Sequence, residues 1–387
     1  MIRAIGILGG GQLGRMLTLE AKRMGYKVVT LEPFPNAPAG QVADEQLVAA
    51  YDDLRAIGEL GARTDIVTYE FENIPLASVR SLEDAGRLVR PSGDVLRITQ
   101  DRTLEKAFVR SAGCETAHFA EVHTLAELQH ALRMVGLPGV LKTALGGYDG
   151  KGQWVVRGQV DAQEAFVAAA GRTLIYERLI PLEKEVSIIC ARGADGDIVA
   201  FPVSENIHDH GVLATSIVPA RIPAAAAARV ANIAATIGEK LGIVGAYCVE
   251  FFIADDEVYV NEIAPRVHNS GHYSLDATQI SQYEAHVRAI CDLPLVTPKL
   301  FGAAVMVNIL GSGSGDELSG IDDLLRDPDT KLHLYGKVHA AVRRKMGHFT
   351  VVAPTVEEAL SKAERGRELL SWTAPAPRRM HASRLRE

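Results

Sequence analysis

The stretch Tyr247-Cys248-Val249-Glu250-Phe251-Phe252-Ile253-Ala254-Asp255-Asp256-Glu257-Val258-Tyr259-Val260-Asn261-Glu262-Ile263-Ala264-Pro265-Arg266-Val267-His268-Asn269-Ser270-Gly271-His272 decides the fold. Residues 247–254 and 258–263 read as two arms of a β-hairpin around Asp255-Asp256. A three-residue loop at 255–257 would put Glu250 opposite Glu262, with both side chains on one face. Directly opposed Cβ atoms sit ~4.5–5.5 Å apart, where like charges destabilise the pair. Burying both carboxylates is worse still. Phe251, Phe252, Tyr259, Val260 and Ile263 make the hairpin a buried one. Taken alone, the two acids would be a solvated face. In a buried hairpin they call for a divalent cation, and carboxylates are ligands that suit Mg²⁺. Asn261 faces away from Glu262 in a regular strand, so it joins the pair only at a bulge or a strand end.

The segment after the hairpin is a poor core sequence. Arg266, His268, Asn269, Ser270 and His272 lie within seven positions. Arginine grips phosphate or carboxylate through two parallel hydrogen bonds, so the segment reads as an oxyanion-binding loop. His268 and His272 read as hydrogen-bond donors rather than proton shuttles.

Upstream, Lys142-Thr143-Ala144-Leu145-Gly146-Gly147-Tyr148-Asp149-Gly150-Lys151-Gly152-Gln153 carries four glycines and two lysines. It is not a Walker loop, because Gly152 follows Lys151 where Ser or Thr is required. Backbone N–H groups and lysines in such a loop can close over phosphates. The plain alternative is a flexible hairpin with solvated lysines. A further loop, Gly9-Gly10-Gly11-Gln12-Leu13-Gly14, satisfies GxGxxG, and Glu32 ends the next strand. That pattern points to a dinucleotide fold, although a lone match is weak.

The chain has 387 residues, which allows two to four domains. Its formal charge of −7 and 6% aromatic content argue against a nucleic-acid partner. Four scattered cysteines (Cys114, Cys190, Cys248, Cys291) form no CxxC pair, which speaks against structural zinc and for reduced thiols in a cytoplasmic protein. No apolar run approaches the ~18 residues of a membrane span, and no membrane partner is expected. The N-terminal residues do not read as a signal peptide.

Strand patterns at 4–8, 26–31, 66–69 and 88–89 alternate with helices and predict a parallel sheet. Pro91-Ser92-Gly93 punctuates the chain. A helix over 101–112 is expected to set Leu104, Ala107 and Phe108 on one face. Thr124 and Glu127 predict a capping box for a helix over 125–135. A long helix over 223–241 begins at Pro223 and stops at Gly242. The expected division is a Rossmann-like domain at 1–100, a central domain at 101–293 with a lid at about 115–180, and a small C-terminal domain at 294–387. The basic end after Arg378 reads as a solvated tail.

Together these motifs resemble the ATP-grasp superfamily, an α/β and α+β fold. Within it they resemble the 5-(carboxyamino)imidazole ribonucleotide synthase family of purine biosynthesis over nearly the whole chain. The resemblance also rests on Gly11-Gln12-Leu13-Gly14-Arg15-Met16, Glu70-Phe71-Glu72-Asn73 and Arg344-Lys345-Met346-Gly347-His348. It implies an ATP-dependent ligase that uses bicarbonate and aminoimidazole ribonucleotide through carboxyphosphate. ATP would be held by Arg102, Lys142, Gly147, Tyr148, Asp149, Gly150, Lys151, Gly152, Gln153, Glu185, His208, Asn261 and Glu262. Glu177, Arg178, Leu179 and Ile180 would line the adenine. Glu250 and Glu262 would hold Mg²⁺, with Mn²⁺ as an alternative. Arg266, His268, Asn269, Ser270 and Tyr148 would bind the bicarbonate-derived intermediate. Glu72, Tyr148, Asp149 and Arg266 would meet the acceptor ribonucleotide, and Lys337 and Arg344 its phosphate. The first glycine loop would then serve the acceptor, not NAD, and a homodimer is implied. Other ATP-grasp ligases, an NAD-dependent oxidoreductase and a non-catalytic nucleotide sensor are the competing readings.

Overall fold

The computed structural model describes residues 2–147 and 152–373. Tyr148 to Lys151 and the basic tail lie outside the described residues.

The N-terminal part is a five-stranded parallel sheet. Its strands are β1 (Ala4–Leu8), β2 (Lys27–Glu32), β3 (Glu45–Val48), β4 (Ile66–Tyr69) and β5 (Leu88–Val89), in the order β3-β2-β1-β4-β5. The first glycine loop joins β1 to the helix Gln12–Arg23, whose Leu13, Met16, Leu17 and Ala21 are buried. The sequence pattern does not reveal β3, because this edge strand buries no residue and lacks a run of apolar side chains.

The helix Arg102–Ser111 is capped by Asp101, which accepts the N–H groups of Thr103 and Leu104. Its inner face differs from the expected one. Glu105, Lys106 and Val109 are buried, whereas Leu104 is 39% exposed. The charged residues point inward because they meet ionic and backbone partners: Lys106 reaches Glu177 at 3.4 Å, and Glu105 accepts the Ile263 N–H at 2.6 Å.

A four-stranded antiparallel sheet follows. It contains β6 (Phe119–Val122), β7 (Gly139–Thr143), β8 (Gln153–Val156) and β9 (Leu174–Arg178), in the order β6-β9-β7-β8. The helix Leu125–Val135 against it carries the Thr124–Glu127 capping box. The second glycine loop connects β7 to β8, so both of its ends are anchored in paired strands.

The largest sheet starts with β10 (Lys184–Arg192), β11 (Ile198–Ala200), β12 (Ser204–Asp209), β13 (Val212–Val218), β14 (Gly245–Ala254) and β15 (Glu257–Ala264). It continues through β16 (Ala303–Leu310), while β17 (Glu317–Ser319) lies outside it, and then through β18 (Thr330–Leu334) and β19 (Lys345–Ala353). Because β13 pairs with β16, the sheet runs across the 293/294 division. Only β17 and β20 (Ser371–Thr373) pair apart from it among the described C-terminal strands. The helix Ala224–Leu241 ends at Gly242, whose φ of +67° suits glycine. Its Val230, Ala234 and Ile237 join Val186, Ile188, Val249 and Phe251 in one core.

The β14–β15 hairpin corrects one expectation. Asp255 and Asp256 have φ of +51° and +62°, so the turn has two residues and pairs Ala254 with Glu257. The register then shifts between Glu250 and Phe251, leaving Asn261 as the extra residue, and Glu250 still lies opposite Glu262. The four cysteines are buried and unpaired. No helix among the described residues is long and apolar enough to cross a membrane.

Candidate functional site

The β14–β15 hairpin, the loop after it and the Arg102–Ser111 helix converge on two adjoining cavities of about 410 and 470 Å³. Arg102, Glu262, His268, Asn269 and Lys345 line both. The first adds Lys142, Gly152, Gln153, Glu185, His208, Glu250 and Asn261. The second adds Gln12, Glu72, Gly147, Gln100, Glu105 and Arg266. A third cavity of about 450 Å³ lies at the first glycine loop and is lined by Gly11, Gln12, Lys337 and Arg344. Among the described residues, the expected nucleotide, metal and acceptor residues thus gather around these cavities, apart from those named below, whereas Tyr148, Asp149, Gly150 and Lys151 lie outside the described residues.

The floor of the first cavity is a balanced ionic network. Lys142 Nζ lies 3.0 Å and Lys106 Nζ 3.4 Å from the Glu177 carboxylate. Burial alone would raise the Glu177 carboxyl, but Lys106, Lys142 and Arg102 outweigh it and hold it down to about 2. For Lys142 burial wins, and its ammonium is pushed below the usual range. Arg102 pairs with Glu262 at 3.0 Å. That guanidinium, with Lys142 and Arg266, overcomes burial and holds Glu262 below the usual carboxylate range. Glu250 goes the other way, pushed up to about 7 by burial and then by the facing Glu262. Two facing acids with opposite shifts are the signature of a pair that shares too little positive charge.

At the rim, His208 Nδ1 sits 2.6 Å from Glu185. Burial disfavours its charge, but the Glu185 carboxylate outweighs that and raises the imidazole. His268 is the reverse case. Burial, then Arg266 and Lys345, push it well below the usual histidine range.

Several expected site residues make contacts that their expected roles do not include. Glu177 turns one carboxylate oxygen to Lys142 and Lys106, so its side chain positions cations, while its Oε1 is buried without a hydrogen-bond partner. Arg178, Leu179 and Ile180 are not among the residues lining either cavity; the Arg178 and Leu179 N–H groups go to the carbonyls of His118 and Pro138. Ser270 is fully buried, and its hydroxyl contacts Ser187 at 2.7 Å and His268 Nδ1 at 2.9 Å. It supports His268 from behind and does not face the cleft. Arg266 and Glu72, both expected at the acceptor, form a two-point pair with each other, with Nε 2.5 Å and Nη2 3.0 Å from the carboxylate.

Several site residues went unread in the sequence. Asn308 on β16 and Asn269 exchange amide hydrogen bonds of 2.7 and 3.0 Å, and Asn308 also donates to the Leu213 carbonyl. The signal was a lone amide in the apolar strand Ala303–Leu310. Glu105 and Lys106 are charged residues on the buried face of the Arg102–Ser111 helix, where an apolar pattern is expected. Their spacing from Arg102 marks a charged stripe instead. Burial, followed by Glu262, pushes Glu105 up to about 8.

The first glycine loop is already filled. Glu70 accepts the N–H groups of Gly11 and Gly14, which are the ones a pyrophosphate would use. Glu32 accepts the Gly10 N–H at 2.9 Å and also bonds the Tyr51 hydroxyl. Lys337 Nζ lies 2.7 Å from Gln12 Oε1 beside this loop.

Comparison with known proteins agrees with this layout. Residues 107–283 match the model of the ATP-grasp domain. Residues 2–100 match the ribonucleotide synthetase preATP-grasp domain, and 304–362 match the phosphoribosylaminoimidazole carboxylase C-terminal domain. The N5-carboxyaminoimidazole ribonucleotide synthase of Bacillus subtilis is 43% identical, covering 92% of both chains. A crystal structure of the Staphylococcus aureus N5-carboxyaminoimidazole synthetase complexed with ADP is 37% identical, with a TM-score of 0.88 over 94% of this chain and 96% of that one. The Aspergillus clavatus synthase in complex with ADP and 5-aminoimidazole ribonucleotide is 30% identical, with a TM-score of 0.89 over 95% and 98%.

Proposed function

The chain belongs to the N5-carboxyaminoimidazole ribonucleotide synthases, and from that premise we propose how its residues divide the work. It is an ATP-dependent ligase that carboxylates the amine of 5-aminoimidazole ribonucleotide, a step of purine biosynthesis. The observation that carries the division of labour is the pair of adjoining cavities sharing Arg102, Glu262 and His268.

ATP occupies the cavity between Lys142 and His208, with Gly152 and Gln153 of the second glycine loop beside its phosphates and Glu185 facing the ribose. Glu250 and Glu262 hold Mg²⁺, or Mn²⁺. Their donor set fits: two facing carboxylates short of positive charge, beside an Asn261 Oδ1 that is buried without a hydrogen-bond partner. The bound cation supplies charge neutralisation at the phosphoryl oxygens.

Bicarbonate attacks the γ-phosphorus, the bond to the β-phosphate oxygen breaks, and carboxyphosphate and ADP form. Arg102 and Lys142 keep positive charge at the transferring oxygens throughout. The ribonucleotide sits in the neighbouring cavity by Glu72, with its phosphate against Lys337 and Arg344; the family resemblance assigns Tyr148 and Asp149 to it as well. Its amine takes the carboxyl group, phosphate leaves and the amine loses a proton. Arg266, His268 and Asn269 hold the acyl phosphate in place. Burial of these groups keeps water from the intermediate. A homodimer belongs to the same reading, and light scattering after gel filtration tests it.

Product chemistry tests the function. With ¹³C-bicarbonate, ATP and aminoimidazole ribonucleotide, the label should appear as a carbamate on the exocyclic nitrogen. Label found only in bicarbonate while ATP is consumed would refute the reading.

A further inference from the structure

Behind His268 runs a buried chain of hydrogen bonds that no role assigned so far explains. Ser216 Oγ donates to Asn206 Oδ1 at 2.9 Å. Asn206 Nδ2 donates to Ser187 Oγ at 2.8 Å, and Ser187 Oγ donates to Ser270 Oγ at 2.7 Å. Ser270 Oγ lies 2.9 Å from His268 Nδ1. The four residues are buried, and Ser187, Ser216 and Ser270 are fully so.

The chain has a direction. A hydroxyl holds one proton, so once Ser187 gives its proton to Ser270, Ser270 must give its own onward. Its two remaining contacts are Cys248 Sγ at 3.8 Å and His268 Nδ1 at 2.9 Å, and the imidazole nitrogen is the nearer and stronger acceptor. A second contact reaches the same nitrogen independently: the Ser270 backbone N–H donates to His268 Nδ1 at 3.3 Å. A backbone N–H has no acceptor capacity, so Nδ1 must carry a lone pair. With a lone pair on Nδ1, the ring carries its single proton on Nε2. That nitrogen lies 3.4 Å from Glu250 Oε1, on a ring that lines both cavities.

We propose that Ser187, Asn206 and Ser216 are positioning residues that hold His268 as its Nε2–H tautomer, so that it presents a proton donor to the reacting anion and cannot accept a proton there. The chain is anchored at Ser187 on β10, where the strand pairs with β14 through Glu250 and with β12 through Ser204. The tautomer is thereby tied to the same strands that carry the metal-type carboxylates. Outer groups that set ring tautomer and orientation are a general means of tuning a histidine. The kinetic part of this inference rests on the proposed function; the tautomer itself does not.

The test uses the full chain with ¹⁵N-histidine and reads the imidazole nitrogens by long-range ¹H–¹⁵N correlation. A His268→Asn variant identifies the signal. The expected spectrum has an unprotonated Nδ1 and a protonated Nε2. Ser187→Ala should shift the signal toward a mixture and lower kcat about fivefold, the worth of one net hydrogen bond, with the KM for ATP nearly unchanged. Ser216→Ala, at the far end of the chain, should cause a smaller shift in the same direction and serves if Ser187→Ala does not fold. A protonated Nδ1 in the wild-type spectrum overturns the inference, as does an unchanged tautomer in both variants. Because the spectrum needs no turnover, a protein that shows the expected tautomer but makes no carbamate contradicts only the proposed function.

Discussion

Glu250 lies opposite Glu262 across the β14–β15 hairpin, although the two-residue turn at Asp255-Asp256 would by itself set Glu250 against Asn261. The extra residue at Asn261 changes the partner. Without it, Glu262 would turn to the other face, since one position of slip reverses every side chain. The hairpin therefore spends a bulge to create a carboxylate pair that is unfavourable without a cation.

Glu262→Gln removes half of that pair and the partner of Arg102. Turnover should fall by about a thousandfold, since metal-assisted charge stabilisation is worth several kcal/mol. Circular dichroism should show an intact fold. Near-normal kcat would contradict the assignment.

Glu177 gives a pH-dependent stability. Its carboxyl is held down to about 2, against 4.5 for an ordinary glutamate. The stabilisation is present above pH 4.5 and lost as pH falls toward 2, where folding no longer benefits from the ionised form. Glu177→Gln leaves Lys106 and Lys142 buried without their partner and should cost about 3–5 kcal/mol at pH 7. In urea titrations the gap between wild type and variant should narrow below pH 4.5. A constant gap would show that the lysines do not set the shift.

Glu70 fills the anion position of the first glycine loop. Calorimetric titration should therefore give saturable heat with Mg·ATP and none with NAD. Preferential NAD binding would restore the dinucleotide reading of that loop.

Lys337 and Arg344 line a cavity apart from Lys142 and His208. Alanine at either position should raise the KM for aminoimidazole ribonucleotide about tenfold, the worth of one charge-assisted hydrogen bond. The KM for ATP should stay within about twofold. A rise in the ATP value alone would exchange the two ligand sites.

Much of this architecture is legible from residue order because local chemistry carries it. The capping box at Thr124, the stop at Gly242 and the facing glutamates all follow from neighbours a few positions away. The hairpin shows the limit of such reading. A three-residue loop and a two-residue loop followed by a bulge give the same Glu250–Glu262 pairing, and only the backbone tells them apart. Long-range pairing is what local pattern misses. Glu177 shows no ionic partner in the sequence, and Lys106, 71 positions earlier, is found beside it only in the folded chain. Arg266 reads as a free anion grip until Glu72 is found across the cleft. Asn308 belongs to a strand whose apolar run conceals its role at Asn269.

The central claim is that ATP cleavage is committed to carboxylating the ribonucleotide. Phosphate release measured with each substrate omitted in turn tests it most directly. Release should require ATP and bicarbonate and should rise sharply when aminoimidazole ribonucleotide is added. A rate that does not respond to the ribonucleotide would contradict the account.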